Sequence, residues 1–305
     1  MTDSFELVDT EDVDSPGDEW EEIDVADTDA DRIARKRDRE FSEFRDRIKD
    51  ADQFKVEASV FDDATFAALY KLVQDGYIEA FGGPISTGKE ANVYSALGGG
   101  RGGEDSAGNR PETGEGRQVA VKVYRINASD FRDMRDYLDG DPRFDGIGSK
   151  KSEVVKAWVR KEYANLERAR KAGVRVPEPI AVERNVLVME LLGIKESRAK
   201  RLGEVHIENP ETAYEVIREY MRRLYDAGLV HGDLSEYNVI LHGEELVVID
   251  LGQAVTVHHP NSREFLERDC HNVAAFFRRQ GLEVTDDDLL DYVTGDAEDE
   301  AAPGS

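Results

Sequence analysis

His231-Gly232-Asp233-Leu234-Ser235-Glu236-Tyr237-Asn238, with the apolar run Leu246-Val247-Val248-Ile249-Asp250 one short hairpin later, decides how this chain is read. The stretch sets out a carboxylate, a carboxamide five residues on, and a second carboxylate at the end of a strand. A triphosphate carries dense negative charge and calls for divalent cations, for which Asn238 and Asp250 offer hard oxygen ligands. Asp233 would then face an acceptor hydroxyl. An isolated Asp five residues before an Asn is a weak signal, but here the His-Gly-Asp, the Asn and the strand ending in Asp come in order within residues 231–250.

Working outward, Lys122 lies inside Val119-Ala120-Val121-Lys122-Val123-Tyr124, a strand too apolar to host an amine without a partner, because burying an unpaired charge is costly. Glu162, midway along the following helix, is its natural counter-ion, with Glu153 and Glu167 on the same helix as alternatives. Ser86-Thr87-Gly88-Lys89-Glu90-Ala91-Asn92-Val93-Tyr94 offers small residues and backbone N–H groups where phosphates could lie. With Gly83 it imitates the Gly-x-x-x-x-Gly-Lys of a P-loop. Glu90 breaks the imitation, since a P-loop places Ser or Thr there and opens a helix, whereas a strand follows here. Catalytic Asp, metal Asn and metal Asp, preceded by a buried Lys with a Glu partner, is the order protein kinases use, and it predicts an ATP-using phosphotransferase.

The flanking segments supply an architecture. Asp62 to Ile78 carries Phe66, Leu69, Tyr70, Leu72 and Val73 at helical spacing. From Gly82 the texture turns to strands, Ala91–Leu97 and Val119–Tyr124, joined by a Gly/Glu/Asp loop over 98–116 that reads as a solvated insertion. Residues 153–172 form a helix pattern that Pro177 and Pro179 stop. Val186–Leu192 is a buried strand. Glu211–Ala227 then puts Ile217, Met221 and Leu224 in register, and Ser262 is expected to cap a helix burying Phe265, Leu266, Val273 and Phe276. Strands first and helices later predict an α+β fold of two unequal lobes.

At 305 residues there is ample chain for such a domain, and no apolar stretch approaches 18 residues. The start Met1-Thr2-Asp3-Ser4-Phe5-Glu6 lacks the basic head and apolar run of a secretory signal, so a soluble, cytoplasmic protein with no membrane partner is expected. Cys270 is the single cysteine and has no second thiol for a disulfide or a metal cage. Against 66 acidic residues stand 40 basic ones, only 13 of them Lys, for a net charge of −26. Self-repulsion on that scale opposes compaction in dilute buffer, whereas at molar salt the screening length falls to about 3 Å. The acidic, lysine-poor composition resembles that of halophilic archaeal proteins. It also excludes a broad nucleic-acid binding patch, leaving only local contacts such as Lys150 and Lys151.

Gly83-Pro-Ile-Ser-Thr-Gly-Lys-Glu-Ala-Asn-Val-Tyr94, His231–Asn238 and Ile249-Asp-Leu-Gly-Gln-Ala254 together resemble the atypical protein kinases of the RIO family, in its first subfamily. Gly140-Asp-Pro-Arg-Phe144 is similar to that subfamily's flexible loop. The resemblance implies a two-lobed protein-kinase-like fold, with a small β-rich N-lobe at about 51–189 and a mostly helical C-lobe at about 193–294. Such a fold lacks the activation loop and the distal substrate-binding helices. An acidic extension at 1–50 and a tail at 295–305 would flank it as disordered segments. The implied ligands are ATP with Mg2+ or Mn2+. Ser86, Lys89 and Glu90 would cover the phosphates, and Lys122 would bind them with Glu162 as its partner. Met189 and the backbones of Glu190 and Leu192 would form the adenine pocket. Asp233 would be the catalytic aspartate, with Asn238 and Asp250 as metal ligands. The family also implies a transient phosphoaspartate at Asp250, autophosphorylation at Ser149 or Ser152, and action on a maturing small ribosomal subunit. Where ordinary kinases carry Arg, Gly232 cannot reach a phosphorylated loop, which points to an enzyme needing no such switch.

The expectation is therefore a serine/threonine protein kinase or ATPase acting on a protein substrate. Two other readings use the same residues: a non-catalytic module switched by nucleotide, and a small-molecule phosphotransferase of kinase-like fold. The second would not need the Ser86–Tyr94 loop in this form.

Overall fold

The computed structural model describes residues 39, 61–100, 117–126, 131–139, 141–144, 146–148, 150–194 and 197–295. The expected extension at 1–50, apart from Arg39, the insertion at 101–116, Ser149 and the tail beyond Gly295 lie outside the described residues.

Helix α1 (Asp63–Gln74) starts at Asp62, whose Oδ1 accepts from Thr65 N at 2.8 Å and Thr65 Oγ1 at 2.7 Å. This satisfies a first-turn donor that would otherwise be orphaned. Its Phe66, Leu69 and Leu72 are buried. Gly76, at φ +76°, turns the chain into β1 (Ile78–Thr87), which begins before the Gly82 expected from sequence. Two glycines and Pro84 hid this strand. They are accommodated because β1 is an edge strand whose register shifts three times against its neighbour.

The strands β1, β2 (Ala91–Gly98), β3 (Gln118–Tyr124), β4 (Pro179–Glu183) and β5 (Val186–Glu190) form an antiparallel sheet in the order β1-β2-β3-β5-β4. β3 is central, so almost every residue in it is buried. Strand alternation puts Val119, Val121 and Val123 on one face and Ala120, Lys122 and Tyr124 on the other. Lys122 pairs in register with Val93 of β2 and Leu187 of β5. Helix α2 (Phe131–Leu138) and a 3-10 turn at Pro142–Phe144 lead into α3 (Lys151–Lys171). Proline does not end α3. Gly173 does, at φ +77°, with Val174 N donating back to Ala169 O.

After the sheet come the short strands β6 (Gly193–Ile194), β7 (Ser197–Arg198) and β8 (Lys200–Arg201), then helix α4 (Pro210–Asp226). Asn209 Oδ1 caps α4 by accepting from Thr212 N. Ala213, Ile217, Met221 and Leu224 form its buried stripe, and burial of each of the three larger chains contributes about 1.5–3 kcal/mol. β9 (Leu229–Val230) precedes the hairpin β10 (Val239–His242) and β11 (Glu245–Val248), and β12 (Val255–Thr256) returns to pair with β9. Helices α5 (Ser262–Arg279) and α6 (Asp286–Thr294) close the lobe. Ser262 does not cap α5 as expected. Asn261 holds that position, and Ser262 Oγ instead donates to Val257 O. Only residues 251–261 separate Asp250 from α5, so no activation segment fits between them. One continuous cluster of buried apolar side chains runs from Tyr124 and Trp158 to Leu224 and Phe277, joining the two lobes. Among the described residues no helix is long and apolar enough to cross a membrane. Burial pushes the Cys270 thiol up to about 12, so it serves packing and not chemistry.

Candidate active site

Lys122 bridges the two sides of the cleft. Its Nζ donates to Glu162 Oε1 on α3 at 2.7 Å and to Asp250 Oδ1, beyond β11, at 2.8 Å. Glu162 is 1% exposed on its side chain and also accepts from the Tyr124 hydroxyl, and the Lys122 amine lies 5.0 Å from the Tyr124 ring centre. Burial opposes charge on the Lys122 amine, but the Asp250 and Glu162 carboxylates outweigh it and hold its pKa well above the usual lysine value. The same amine holds the Asp250 carboxyl below its ordinary range. The helix therefore selects Glu162 over Glu153 and Glu167. Asp250 has a side chain 54% exposed and a backbone φ of +65°, in the left-handed region that non-glycine residues rarely adopt.

The loop carrying Asp233 is held by its backbone. Asp269 on α5 accepts from Gly232 N at 2.8 Å and from Leu234 N at 2.7 Å. Asn272 Nδ2 donates to Leu234 O, and Arg268 Nη2 to Gly232 O. Gly232 is required here twice over, by its φ of +80° and because a Cβ would meet Gln253 O at 3.1 Å. His231 is buried, with its Nε2 3.0 Å from Ile249 O. Asn238 Nδ2 donates to Asp233 O at 2.7 Å and to Asp233 Oδ2 at 3.1 Å. With its amide N–H groups spent on Asp233, Asn238 keeps its Oδ1 as the atom that could face a cation. Ile249 N donates to Asn238 O, which places Asp250 one residue beyond the Asp233–Asn238 unit.

A cavity of about 450 Å³ opens between the lobes, lined by Ser86, Lys89, Glu90, Lys122, Glu162, Met189, Glu190, Leu192 and Asp250 among others. The residues expected to contact the nucleotide itself thus share one cleft with Asp250. Asp233 and Asn238 do not line it and adjoin it through Ile249. The Glu190 carboxylate turns away onto Arg175, at 2.6 and 2.7 Å, leaving its backbone to the cleft. Among the described residues no cluster of three or more His, Cys, Asp or Glu side chains could hold a metal unaided. The oxygens of Asn238 and Asp250 suit a hard divalent ion whose remaining ligands are phosphate oxygens.

Asp269, Arg268, Lys161 and Asn165 were not picked out from the sequence. The available signal was a polar side chain on an otherwise apolar helix stripe: Asp269 between Leu266 and Val273, and Lys161 and Asn165 in line with Val154 and Trp158. Burial pushes Asp269 up to about 6, against His231 and the two N–H bonds it accepts. Protonation below that value removes one acceptor from the loop, so turnover is expected to fall as pH drops through about 6. Asp269→Asn, with a single acceptor oxygen facing two donors, is expected to lose about 1–3 kcal/mol of stability, read by thermal melting. Its kcat should fall about tenfold or more with KM for ATP unchanged.

Residues 93–290 match the family model described as the RIO domain. The chain is 69% identical to the RIO-type serine/threonine-protein kinase Rio1 of Haloferax volcanii, over 97% of each chain. It is 36% identical to that of Methanocaldococcus jannaschii, over 80% of this chain and 79% of the relative. Among solved structures it is similar to the Rio2 kinase-ADP/Mg2+-phosphoaspartate complex from Chaetomium thermophilum. The TM-score there is 0.58 at 23% identity, covering 78% of this chain and 68% of the other.

Proposed function

Because this chain belongs to the RIO family of ATP-dependent serine/threonine-protein kinases, we propose that its cleft carries out phosphoryl transfer with Lys122, Asp233, Asn238 and Asp250 as the working side chains. The observation that carries this reading is Lys122, shared between Glu162 at 2.7 Å and Asp250 at 2.8 Å across the two lobes. Lys122 binds the α and β phosphates of ATP, and Glu162 with Tyr124 fixes its amine. Ser86, Lys89 and Glu90 cover the phosphates. Met189 backs the adenine, whose edge meets the backbones of Glu190 and Leu192. Asn238 and Asp250 would hold Mg2+, or Mn2+, which the same oxygen ligands suit, and the ion would supply charge neutralisation at the phosphates. Asp233 takes the proton of the acceptor hydroxyl as the new O–P bond forms and the bond to ADP breaks.

A second reading is favoured by the Rio2 kinase complex from Chaetomium thermophilum, which is a phosphoaspartate complex with ADP and Mg2+. In it a carboxylate oxygen of Asp250 takes the γ-phosphoryl group, ADP leaves, and water then hydrolyses the acyl phosphate, giving net ATP hydrolysis. Ser152, half-buried in the first turn of α3, is the described candidate for self-modification. A maturing small ribosomal subunit in the cytoplasm is the partner we propose, engaged at local basic contacts given the net charge of −26.

Labelled ATP with Mg2+ at high salt, with and without immature small subunits, tests these readings together. Subunit-stimulated phosphate release with hydroxylamine-labile label on the wild type, absent in Asp250→Asn, is the expected result for the aspartyl route. Acid-stable phosphoserine as the sole label would overturn that route and leave direct protein phosphorylation. No turnover under any condition would overturn both.

A further inference from the structure

Behind the loop that follows Asp250 lie polar side chains that phosphoryl transfer does not use. Asp141, Lys161 and Asn165 have no solvent exposure at all, on a face where apolar residues would pack more cheaply. Asn165 Nδ2 donates to Leu251 O at 3.1 Å and Ala254 O at 2.9 Å. One helical turn earlier, Lys161 Nζ donates to Gly252 O at 2.9 Å, with its amine 5.0 Å from the Trp158 ring centre and 5.7 Å from that of Tyr137. Three carbonyls within four residues after Asp250 are thus captured from one face of α3.

The capture extends backwards along the chain. Asn165 Oδ1 accepts from Arg143 Nη2 at 3.1 Å, and Arg143 forks onto Asp141 at 2.6 and 3.0 Å. The segment likened to a flexible loop is therefore anchored, at residues 141–144, to the same helix. A non-glycine residue in the left-handed region, as Asp250 is at φ +65°, persists only where its surroundings over-determine it, and the captured carbonyls fix the chain that leaves it. Helix α3 grips Lys122 through Glu162, so it sets both ends of the Lys122–Asp250 contact.

We propose that Lys161 and Asn165 are positioning residues for the metal-binding carboxylate of Asp250, with the Asp141–Arg143 pair bracing Asn165. The proposal rests on the reading of Asp250 as a metal ligand. Outer partners that orient a metal ligand typically govern affinity by tenfold or more. A purely structural role for Lys161 forecasts a lower melting temperature with unchanged Mg2+ dependence, because Lys161→Met leaves Gly252 O without its donor.

The test measures the Mg2+ concentration that half-maximally enhances ADP binding in Lys161→Met, Asn165→Ala and Asp250→Asn, together with thermal melting and Mg2+-free ADP binding. Lys161→Met and Asn165→Ala are expected to fold, to bind ADP without metal as the wild type does, and to need about tenfold more Mg2+. Either folded variant with wild-type Mg2+ dependence, while Asp250→Asn shifts it, overturns the brace and leaves the ligand assignment standing. An unshifted Asp250→Asn overturns the ligand assignment itself. Should Lys161→Met fail to fold, Asn165→Ala decides the question, since it removes no charge.

Discussion

Asp233→Asn is expected to lower kcat by about 10²- to 10⁴-fold while nucleotide affinity stays within about twofold of the wild type. The substitution is close to isosteric. The bond that Asn238 Nδ2 makes to Asp233 Oδ2 at 3.1 Å survives on the new amide oxygen, and the backbone bond to Asp233 O is untouched. The loop is held by Asp269 through Gly232 N and Leu234 N, so its course does not depend on the Asp233 side chain. Only the capacity to accept a proton disappears. Single-turnover phosphotransfer against an ADP titration separates the two quantities. A kcat within threefold of wild type would show that Asp233 takes no proton, and equal loss of affinity and rate would show that the loop had moved.

The second large effect concerns Lys122→Met, which strands the Glu162 carboxylate inside the protein. Glu162 is 1% exposed on its side chain, and among the described residues Tyr124 alone remains to hydrogen-bond it. Breaking a buried pair by removing one partner costs about 3–5 kcal/mol, which for a domain of this size is a drop in Tm of about 10 °C. Asp250 adds little to that figure, since its side chain is 54% exposed and water screens its share. Salt should not rescue the variant, because a buried pair is poorly screened even at the ionic strength this acidic surface suits. Adding Glu162→Gln should return most of the stability and none of the activity. Thermal melts of the single and double variants beside ATP turnover check both claims. A single variant as stable as the wild type would mean that Glu162 is neutral in the fold, and recovered turnover in the double variant would remove Lys122 from phosphate binding.

Much of the site was legible because its chemistry sits in short, ordered motifs. An amine inside Val-Ala-Val-Lys-Val demands an anion, and an Asp, an Asn and a strand-terminal Asp in sequence have few other uses. Helices α1 and α4 were legible because Phe66, Leu69 and Leu72, and Ile217, Met221 and Leu224, recur at the helical period. Strand β1 was not, because glycines and Pro84 signal a turn wherever the sheet edge that tolerates them is out of view. The end of α3 was misassigned to the prolines because the backbone φ of Gly173 is a conformational fact that residue type only permits.

From sequence alone came the fold class, the family, and the set of residues expected at the nucleotide. These depend on local period and on chemical type, both written along the chain. Tertiary structure decided which polar side chains support them: it settled Glu162 over Glu153 and Glu167, and it alone brought Asp269 beneath the Asp233 loop and Lys161 and Asn165 behind Asp250. Each is separated by 35 to 91 residues in the chain from the group it holds. A hydrogen bond depends on distance in space, and only packing around the joined cores of the two lobes brings such distant groups within reach.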